Sequence, residues 1–441
     1  MSKNELTIHV PKSDCPRVVI IGGGFAGLRL AQRIVRKNFQ VVMLDQHNYH
    51  TFQPLLYQVA TAGLEPDSIA GPLRQHISER KNFLFRLMKV DRIDHEKKHV
   101  VTSVGELEYD YLVIATGSKT NYFGNNAIEE NAFPLKKIPQ ALNLRSQILQ
   151  NFEKAVMTKD LEERERLLNV VIVGGGPTGV ELAGALAELR GYILPKDYPE
   201  LNFRRMKISL IEGTKRLLGA MHERLSARAE KDLRKMGVNV VLNTFVNGFD
   251  GKEAVLSNGM KLETRTLIWA AGVMGNLVEG LPEESIAHSR YLVDEFNEVK
   301  HVKDVFAIGD VALMVTGDMP KGHPMMAPIA IQQGEQLAKN LVCREAGKPM
   351  KPYEYWDKGS MATIGRNKAV VQMPSGLRFG GVFAWFVWMF VHLLYIIGFK
   401  NKFVVFANWF WNYLTYDRGN RLIIRRYKKD ENVQDIDNPL L

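Results

Sequence analysis

RVVIIGGGFAGLRLAQRI, residues 17–34, aligns without a gap on NVVIVGGGPTGVELAGAL, residues 169–186. Each copy is a run of Val and Ile that leads straight into glycines and then into a helical apolar pattern. Gly22, Gly24 and Gly27, and again Gly174, Gly176 and Gly179, give the spacing G-x-G-x-x-G. The first glycine makes the tight turn, the second admits a pyrophosphate against bare backbone, and the third lets helix pack on strand. The helix N-terminus adds free N–H groups and the positive end of its dipole. One such loop can be a structural turn. Two of them, each set between a strand and a helix, predict an α/β protein with two Rossmann-like dinucleotide-binding domains.

Each copy needs an acid at the end of its second strand to accept hydrogen bonds from an adenosine ribose. QVVMLD places Asp45 there in the first copy, and KISLIE places Glu212 in the second. Glu212 lies further from its glycines because the polar segment 191–203 intervenes and reads as an inserted loop. A carboxylate repels a 2′-phosphate, so NADH is expected over NADPH, although Lys215 and Arg216 follow closely and could take that phosphate. Two further strands, YDYLVIATG (109–117) and TLIWAAGV (266–273), end in small residues suited to the close passage of a dinucleotide.

The totals narrow the class. At 441 residues, 46% hydrophobic and 24% charged, the chain is long enough for two or three domains with real cores and is not disordered. The formal net charge is +10, but from Lys400 to Lys429 there are eight Lys or Arg against one acid, Asp417. That surplus sits beside an apolar aromatic segment, which suits an anionic lipid surface and argues against nucleic acid. Cys15 and Cys343 are the only cysteines, so no disulfide framework, metal cluster or Cys-x-x-Cys exists, and no metal is expected. The N-terminal MSKNELTIHVPKSDCP has neither a secretory core nor a transit-peptide pattern, which points to the cytoplasmic side of a bacterial cell.

The aromatic segment is WFVWMFVHLLYIIGFK, residues 385–400. Trp385, Trp388, His392, Tyr395 and Phe399 recur at helical spacing, Lys400 and Lys402 follow, and Trp409 and Trp411 mark a second aromatic run. Two helices lying in the membrane interface, rings at the headgroups, account for these features together. A single crossing by residues 379–399, which reaches the length of about 20 residues that a span needs, is the alternative. The same rings could also be core or serve a dimer interface.

The order of glycine repeat, ATG, second glycine repeat, AAG and the GD of DVFAIGD (304–310) resembles the two-dinucleotide-binding flavoproteins. HTFQPLLYQVATAGL (50–64), DKGSMATIGRNKAVV (357–371) and the aromatic, basic C-terminus narrow the resemblance to type II NADH dehydrogenases, single-chain NADH:quinone oxidoreductases that do not pump protons. The resemblance implies FAD-dependent transfer of hydride from NADH to flavin N5, then of two electrons to a membrane quinone in a respiratory chain. Lacking a redox-active cysteine pair, the chain would pass electrons directly between flavin and acceptor.

It also implies positions. FAD would be held by Gly22, Gly24, Phe25, Ala26, Gly27, Asp45, His50, Ala115, Thr116, Gly117, Gly309, Asp310 and Ala327, with Tyr57 lining the flavin. NADH would be held by Gly174, Gly176, Pro177, Thr178, Gly179, Glu181, Glu212, Ala271 and Gly272. Glu181, Gln332 and Lys368 would be catalytic, Glu181 in the first turn of its helix. The quinone signature A-Q-x-A-x-Q reads Ala327-Pro328-Ile329-Ala330-Ile331-Gln332 here, so Pro328 replaces the first Gln, and Ala327, Pro328, Ile331 and Gln332 are the candidate quinone contacts. Pro328 requires the helix to begin beside it, and Gln333 reads as an ordinary helix residue.

The implied domains are residues 1–120 and 296–348 for FAD, 121–295 for NADH and 349–441 for a C-terminal membrane-anchoring segment of amphipathic helices. A peripheral, monotopic enzyme on the cytoplasmic face of a bacterial inner membrane follows, with a homodimer as an option. The rivals are a soluble NAD(P)H reductase of a ferredoxin or rubredoxin and a flavin-dependent binding protein.

Overall fold

The computed structural model describes residues 8–77, 82–317, 319–415 and 419–424. The chain forms two compact units, one from Met1–Thr51, Gly71–Lys119 and Val273–Asp357, the other from Phe52–Ala70, Thr120–Gly272 and Lys358–Leu441.

The first unit is built on five parallel strands in the order Val305–Ala307, Tyr111–Ile114, Arg17–Ile21, Gln40–Asp45, Phe83–Leu87. Parallel sheets are covered on both faces, which is why these strands read as near-continuous Val, Ile and Leu. Val19 stands between Val42 and Leu112, all three fully buried. The helix Phe25–Ile34 buries Leu28, Leu30, Ala31 and Ile34 against the sheet and packs on the helix Ala327–Glu345. Backbone meets backbone there: a Cβ on Gly334 would lie 2.5 Å from the Ala26 carbonyl oxygen. Pro328 falls in the first turn of its helix, as its missing N–H requires.

The second unit repeats the plan with Phe133–Pro134, Thr266–Trp269, Val170–Val173, Ile208–Ile211 and Val238–Val241, again all parallel. The helix Pro177–Glu188 follows the central strand. Segment 191–203, expected to be a polar loop, is helical in its first part and turns only beyond it: the helix runs through a π-helical turn, Leu189–Ile193, into the helix Leu194–Asp197, and residues 198–203 are turns and bends. The expectation weighed Pro and the charges, whereas Ile193, Leu194, Leu201 and Phe203 decide the matter by being buried.

The same unit carries a three-stranded antiparallel sheet, Ser360–Gly365, Lys368–Gln372 and Arg378–Gly380. The helix Pro177–Glu188 lies on it so closely that a Cβ on Gly184 would fall 1.8 Å from the Ile364 carbonyl oxygen. Beyond the sheet come the helices Val382–Tyr395 and Phe399–Thr415, separated by Gly398 at φ +87°. Among the described residues no helix is long and apolar enough to cross a membrane. The alternative of one crossing by residues 379–399 is therefore not met: the first helix stops after 14 residues, about 21 Å at 1.5 Å per residue, against the roughly 30 Å of a hydrocarbon core.

Candidate functional site

The two glycine loops have nearly the same geometry. Gly22 (φ +107°) and Gly174 (φ +110°) turn the chain in the left-handed region, where a side chain would meet the carbonyl oxygen of Ala115 at 2.4 Å and of Ala270 at 2.5 Å. Gly27 and Gly179 press their helices onto those turns, 2.0 and 1.9 Å from a Cβ to the carbonyl oxygens of Gly22 and Gly174. Gly24 and Gly176 face open space, nothing lying within 4 Å of where a Cβ would stand. The first and third glycines thus serve the fold, and the second leaves room for a ligand.

Both strand-end acids close on their loops. Gly23 N–H donates to Asp45 Oδ2 (2.6 Å) and Gly175 N–H to Glu212 Oε2 (2.6 Å). The other oxygens accept from His47 N–H (2.7 Å) and Thr214 N–H (2.7 Å). Arg216, a candidate partner for a 2′-phosphate, is drawn to Glu223 at 3.3 Å and donates to the Gly219 carbonyl.

Around the first loop the remaining candidates gather. His50 is buried under it, Nδ1 3.0 Å from the Gly23 carbonyl and its ring edge-on to Phe25 at 4.9 Å. A carbonyl only accepts, so Nδ1 carries the hydrogen and Nε2 is a buried acceptor with no partner among the described residues. Burial lowers its pKa to about 4, keeping the ring neutral. Thr116 Oγ1 donates to the Asn276 carbonyl (2.6 Å), and Gly117 faces open space. Ser118 Oγ donates to Asp310 Oδ2 (2.6 Å). Gly309 N–H donates to Gln333 Oε1 (2.7 Å), and Gln333 is only 1% exposed. Gln333 is thus no ordinary helix residue. An open glycine cradle, a strand-end carboxylate and an unpaired imidazole nitrogen suit a dinucleotide such as FAD.

Gln332, in the same unit, is closed on Trp356: its Nε2 donates to the Trp356 carbonyl and its Oε1 accepts from the Trp356 N–H, both at 3.0 Å. Ala327, Pro328 and Ile331 share the first turns of that helix, half-buried.

In the second unit Glu181 is buried, 7% exposed. It lies beyond the first turn of its helix, which holds no acid, so complementing the dipole does not explain it. Thr363 N–H donates to its Oε1 at 3.3 Å. Burial raises its pKa to about 8, offset in part by Thr363 and by the Trp388 indole, whose Nε1 nevertheless falls outside hydrogen-bond geometry. Glu181 opens on a pocket of about 800 Å³, open solvent included, walled by Tyr57, Gln58, Thr363, Arg366, Trp385, Trp388, Trp409 and Tyr413. The Arg366 guanidinium stands 4.1 Å over the Tyr413 ring, and Trp409 Nε1 donates to Gln58 Oε1 (2.8 Å). Tyr57, a candidate for the flavin neighbourhood, is one of the residues that line this pocket. Lys368 pairs with Gly365 in the neighbouring hairpin and does not wall the pocket. No cluster that could hold a metal ion occurs among the described residues.

The ring stripe is divided: Trp388 faces inward with His392 packed on it, whereas Tyr395 and Phe399 are exposed. Trp388 is 2% exposed, stacks on His392 at 4.2 Å and meets Trp409 at 5.5 Å, so these three do not lie at a surface as expected. Burial lowers the His392 pKa to about 4. The exposed face carries Phe383, Phe386, Phe390 and Leu394, then Phe399, Phe403, Phe406, Phe410, Trp411 and Leu414. The periodicity marked both faces; polar atoms chose between them, since Trp409 N–H and the His392 ring find partners inside. Tyr395 is partly exposed and Lys402 Nζ caps the first helix at the Leu394 carbonyl (2.9 Å), while Trp385 is half-buried and Lys400 exposed.

The chain matches the family profile of pyridine nucleotide-disulphide oxidoreductases over residues 16–334 and that of the NDH2 C-terminal domain over residues 357–416. It is 34% identical over 434 residues to the type II NADH:quinone oxidoreductase Ndh of Mycobacterium tuberculosis, covering 96% of this chain and 92% of that protein. The NdhA protein of the same organism is also 34% identical, over 92% and 89% of the two chains. NDH2 of Plasmodium falciparum, solved in complex with NADH, shares the fold at a TM-score of 0.84 and 22% identity, over 93% of this chain and all of that one. Cradles, acids and C-terminal helices thus sit in a known frame, and the chain belongs to the type II NADH:quinone oxidoreductases of the pyridine nucleotide-disulphide oxidoreductase family.

Proposed function

We propose that this FAD-dependent NADH:quinone oxidoreductase works from a membrane surface, with FAD on the first glycine loop, NADH on the second and Glu181 serving the quinone. FAD would be held by Gly22, Gly24, Phe25, Ala26, Gly27, Asp45, His50, Ala115, Thr116, Gly117, Gly309, Asp310 and Ala327; when bound, it supplies two-electron transfer between nicotinamide and quinone. Gly174, Gly176, Pro177, Thr178 and Gly179 would cradle the NADH pyrophosphate beside Ala271 and Gly272. Glu212 would bind the adenosine ribose and repel a 2′-phosphate.

Quinone reduction consumes two protons as well as two electrons. Glu181, protonated at neutral pH by its burial, holds one beside the pocket. Trp388 and Trp409 supply apolar wall to the same pocket. This carboxyl is the observation that carries the reading. The assignment of Ala327, Pro328, Ile331 and Gln332 to quinone contact, and of Lys368 to catalysis, rests on motif alone.

The exposed Phe and Leu face of the two C-terminal helices supports monotopic attachment, with the exposed Lys400 beside it to meet anionic lipid. The basic run 425–429 lies outside the described residues. The reading places the enzyme on the cytoplasmic face of a bacterial inner membrane, residues 349–441 as its anchor, residues 1–120 and 296–348 for FAD and 121–295 for NADH, with a homodimer as an option. The test is NADH oxidation by the purified, yellow protein with short- and long-tailed quinones, with and without anionic vesicles. Quinone-dependent turnover that rises with lipid for the long-tailed series is expected. Turnover that ignores quinone and requires a ferredoxin-type protein would overturn the assignment.

A further inference from the structure

Two large rings of the second unit stand in water where a folded chain gains nothing by exposing them. Phe123 is 66% exposed and Phe245 is 63% exposed. Neither position is loose. Phe245 is pinned by a reciprocal pair, its N–H donating to Ser257 Oγ (3.0 Å) and Ser257 N–H donating back to its carbonyl (2.9 Å). Its ring lies directly on Gly213, where a Cβ would come within 2.4 Å of it, immediately after Glu212. Phe123 is held in the left-handed region at φ +54°, costly for an aromatic residue. Its N–H donates to Asn121 Oδ1 (2.8 Å), and Trp269 Nε1 donates to the Asn121 carbonyl (2.8 Å). The ring lies on Gly272, 2.8 Å from where its Cβ would stand.

Gly213 follows the strand Ile208–Ile211 and Gly272 the strand Thr266–Trp269, and these are the two neighbours of the central strand Val170–Val173 that delivers the glycine loop. The rings therefore flank the loop on its two sides. A strand-end acid takes the adenosine ribose, and the adenine is bonded to that ribose, so the ring beside Glu212 is the one the base can reach. Resting on the reading that NADH binds the second loop, we propose that Phe245 is the stacking platform for the adenine and that Phe123 covers the nicotinamide half of the same dinucleotide. Any adenine offers a π-face, and a flat ring held in place by its backbone meets it at little entropic cost.

The two roles separate kinetically with the holoenzyme, using NADH and reduced nicotinamide mononucleotide, which lacks the adenosine. Phe245→Leu is expected to raise KM for NADH roughly tenfold, the scale of one lost base stack, with kcat unchanged and KM for the mononucleotide unchanged. Phe123→Leu is expected to raise KM for both donors. Retention of FAD absorbance in each variant establishes that it is folded. An unchanged NADH KM in Phe245→Leu, or an equal rise for both donors, overturns the platform. An unchanged mononucleotide KM in Phe123→Leu overturns its partner. Should the platform fail while Gly176→Ala still abolishes NADH use, the second loop keeps its assignment and only the rings lose theirs.

Discussion

Replacing Glu181 by Gln keeps the shape of the side chain and the oxygen that accepts from Thr363 N–H, but removes the titration. In the folded protein the carboxyl holds its proton up to about pH 8, against an ordinary value of 4.5. Below pH 4.5 both folded and unfolded chains are protonated there, and the group contributes no penalty. Between 4.5 and about 8 the unfolded chain alone releases the proton, so stability falls as pH rises; above 8 the loss is complete. The interval spans about 3.5 pH units at about 1.4 kcal/mol each, a ceiling of about 5 kcal/mol. Gln escapes that loss. The melting temperature of Glu181→Gln minus that of the wild type should therefore be small at pH 5, climb by roughly 1.5 °C per pH unit for a chain of 441 residues, and level off beyond pH 8. Glu188 and Arg366 wall the same pocket but are common to both proteins, so the difference isolates Glu181. A difference that stays flat from pH 5 to pH 9 would mean that Glu181 is ionised at neutrality and cannot be the proton source.

Three further outcomes are expected. Gly176→Ala should leave thermal stability unchanged, since its Cβ meets nothing, yet abolish NADH binding, whereas Gly179→Ala should destabilise the fold by about 1–3 kcal/mol because it meets the Gly174 carbonyl; melting curves and NADH titration check both. Gln333→Leu should strand the Gly309 N–H at a cost of about 1–3 kcal/mol, and flavin fluorescence should report faster loss of FAD. Phe386→Glu with Phe390→Glu should reduce sedimentation with anionic vesicles severalfold while leaving NADH oxidation with a short-tailed quinone intact; equal sedimentation would show that the exposed face does not meet lipid.

What the sequence made legible was local. Gly22 and Gly174 must turn with positive φ, and the residues on either side of them announce strand and helix, so both loops and both acids could be placed from a few consecutive letters. What escaped depends on partners distant in the chain. Gln333 looks like any helix residue because its purpose is a single N–H presented 24 residues earlier. Glu181 looked like a first-turn acid because Thr363 and Trp388, which lie against it in the fold, are distant in the chain. The aromatic helix was recognised at once, but period alone does not say which face turns inward.

The first unit is interrupted by the second, and that order has a cost during synthesis. Strand Tyr111–Ile114 accepts Val305–Ala307 along its outer edge, and helix Phe25–Ile34 accepts Ala327–Glu345. At about 5–20 residues per second, a ribosome needs roughly 10–40 s to bring residue 305 to a strand finished at residue 114. For that interval the nascent chain carries a bare sheet edge of Leu112, Val113 and Ile114, the kind of edge that recruits other strands. Chaperone occupancy on stalled chains of intermediate length should peak there, and fall once the last 19-residue helix of the unit has emerged.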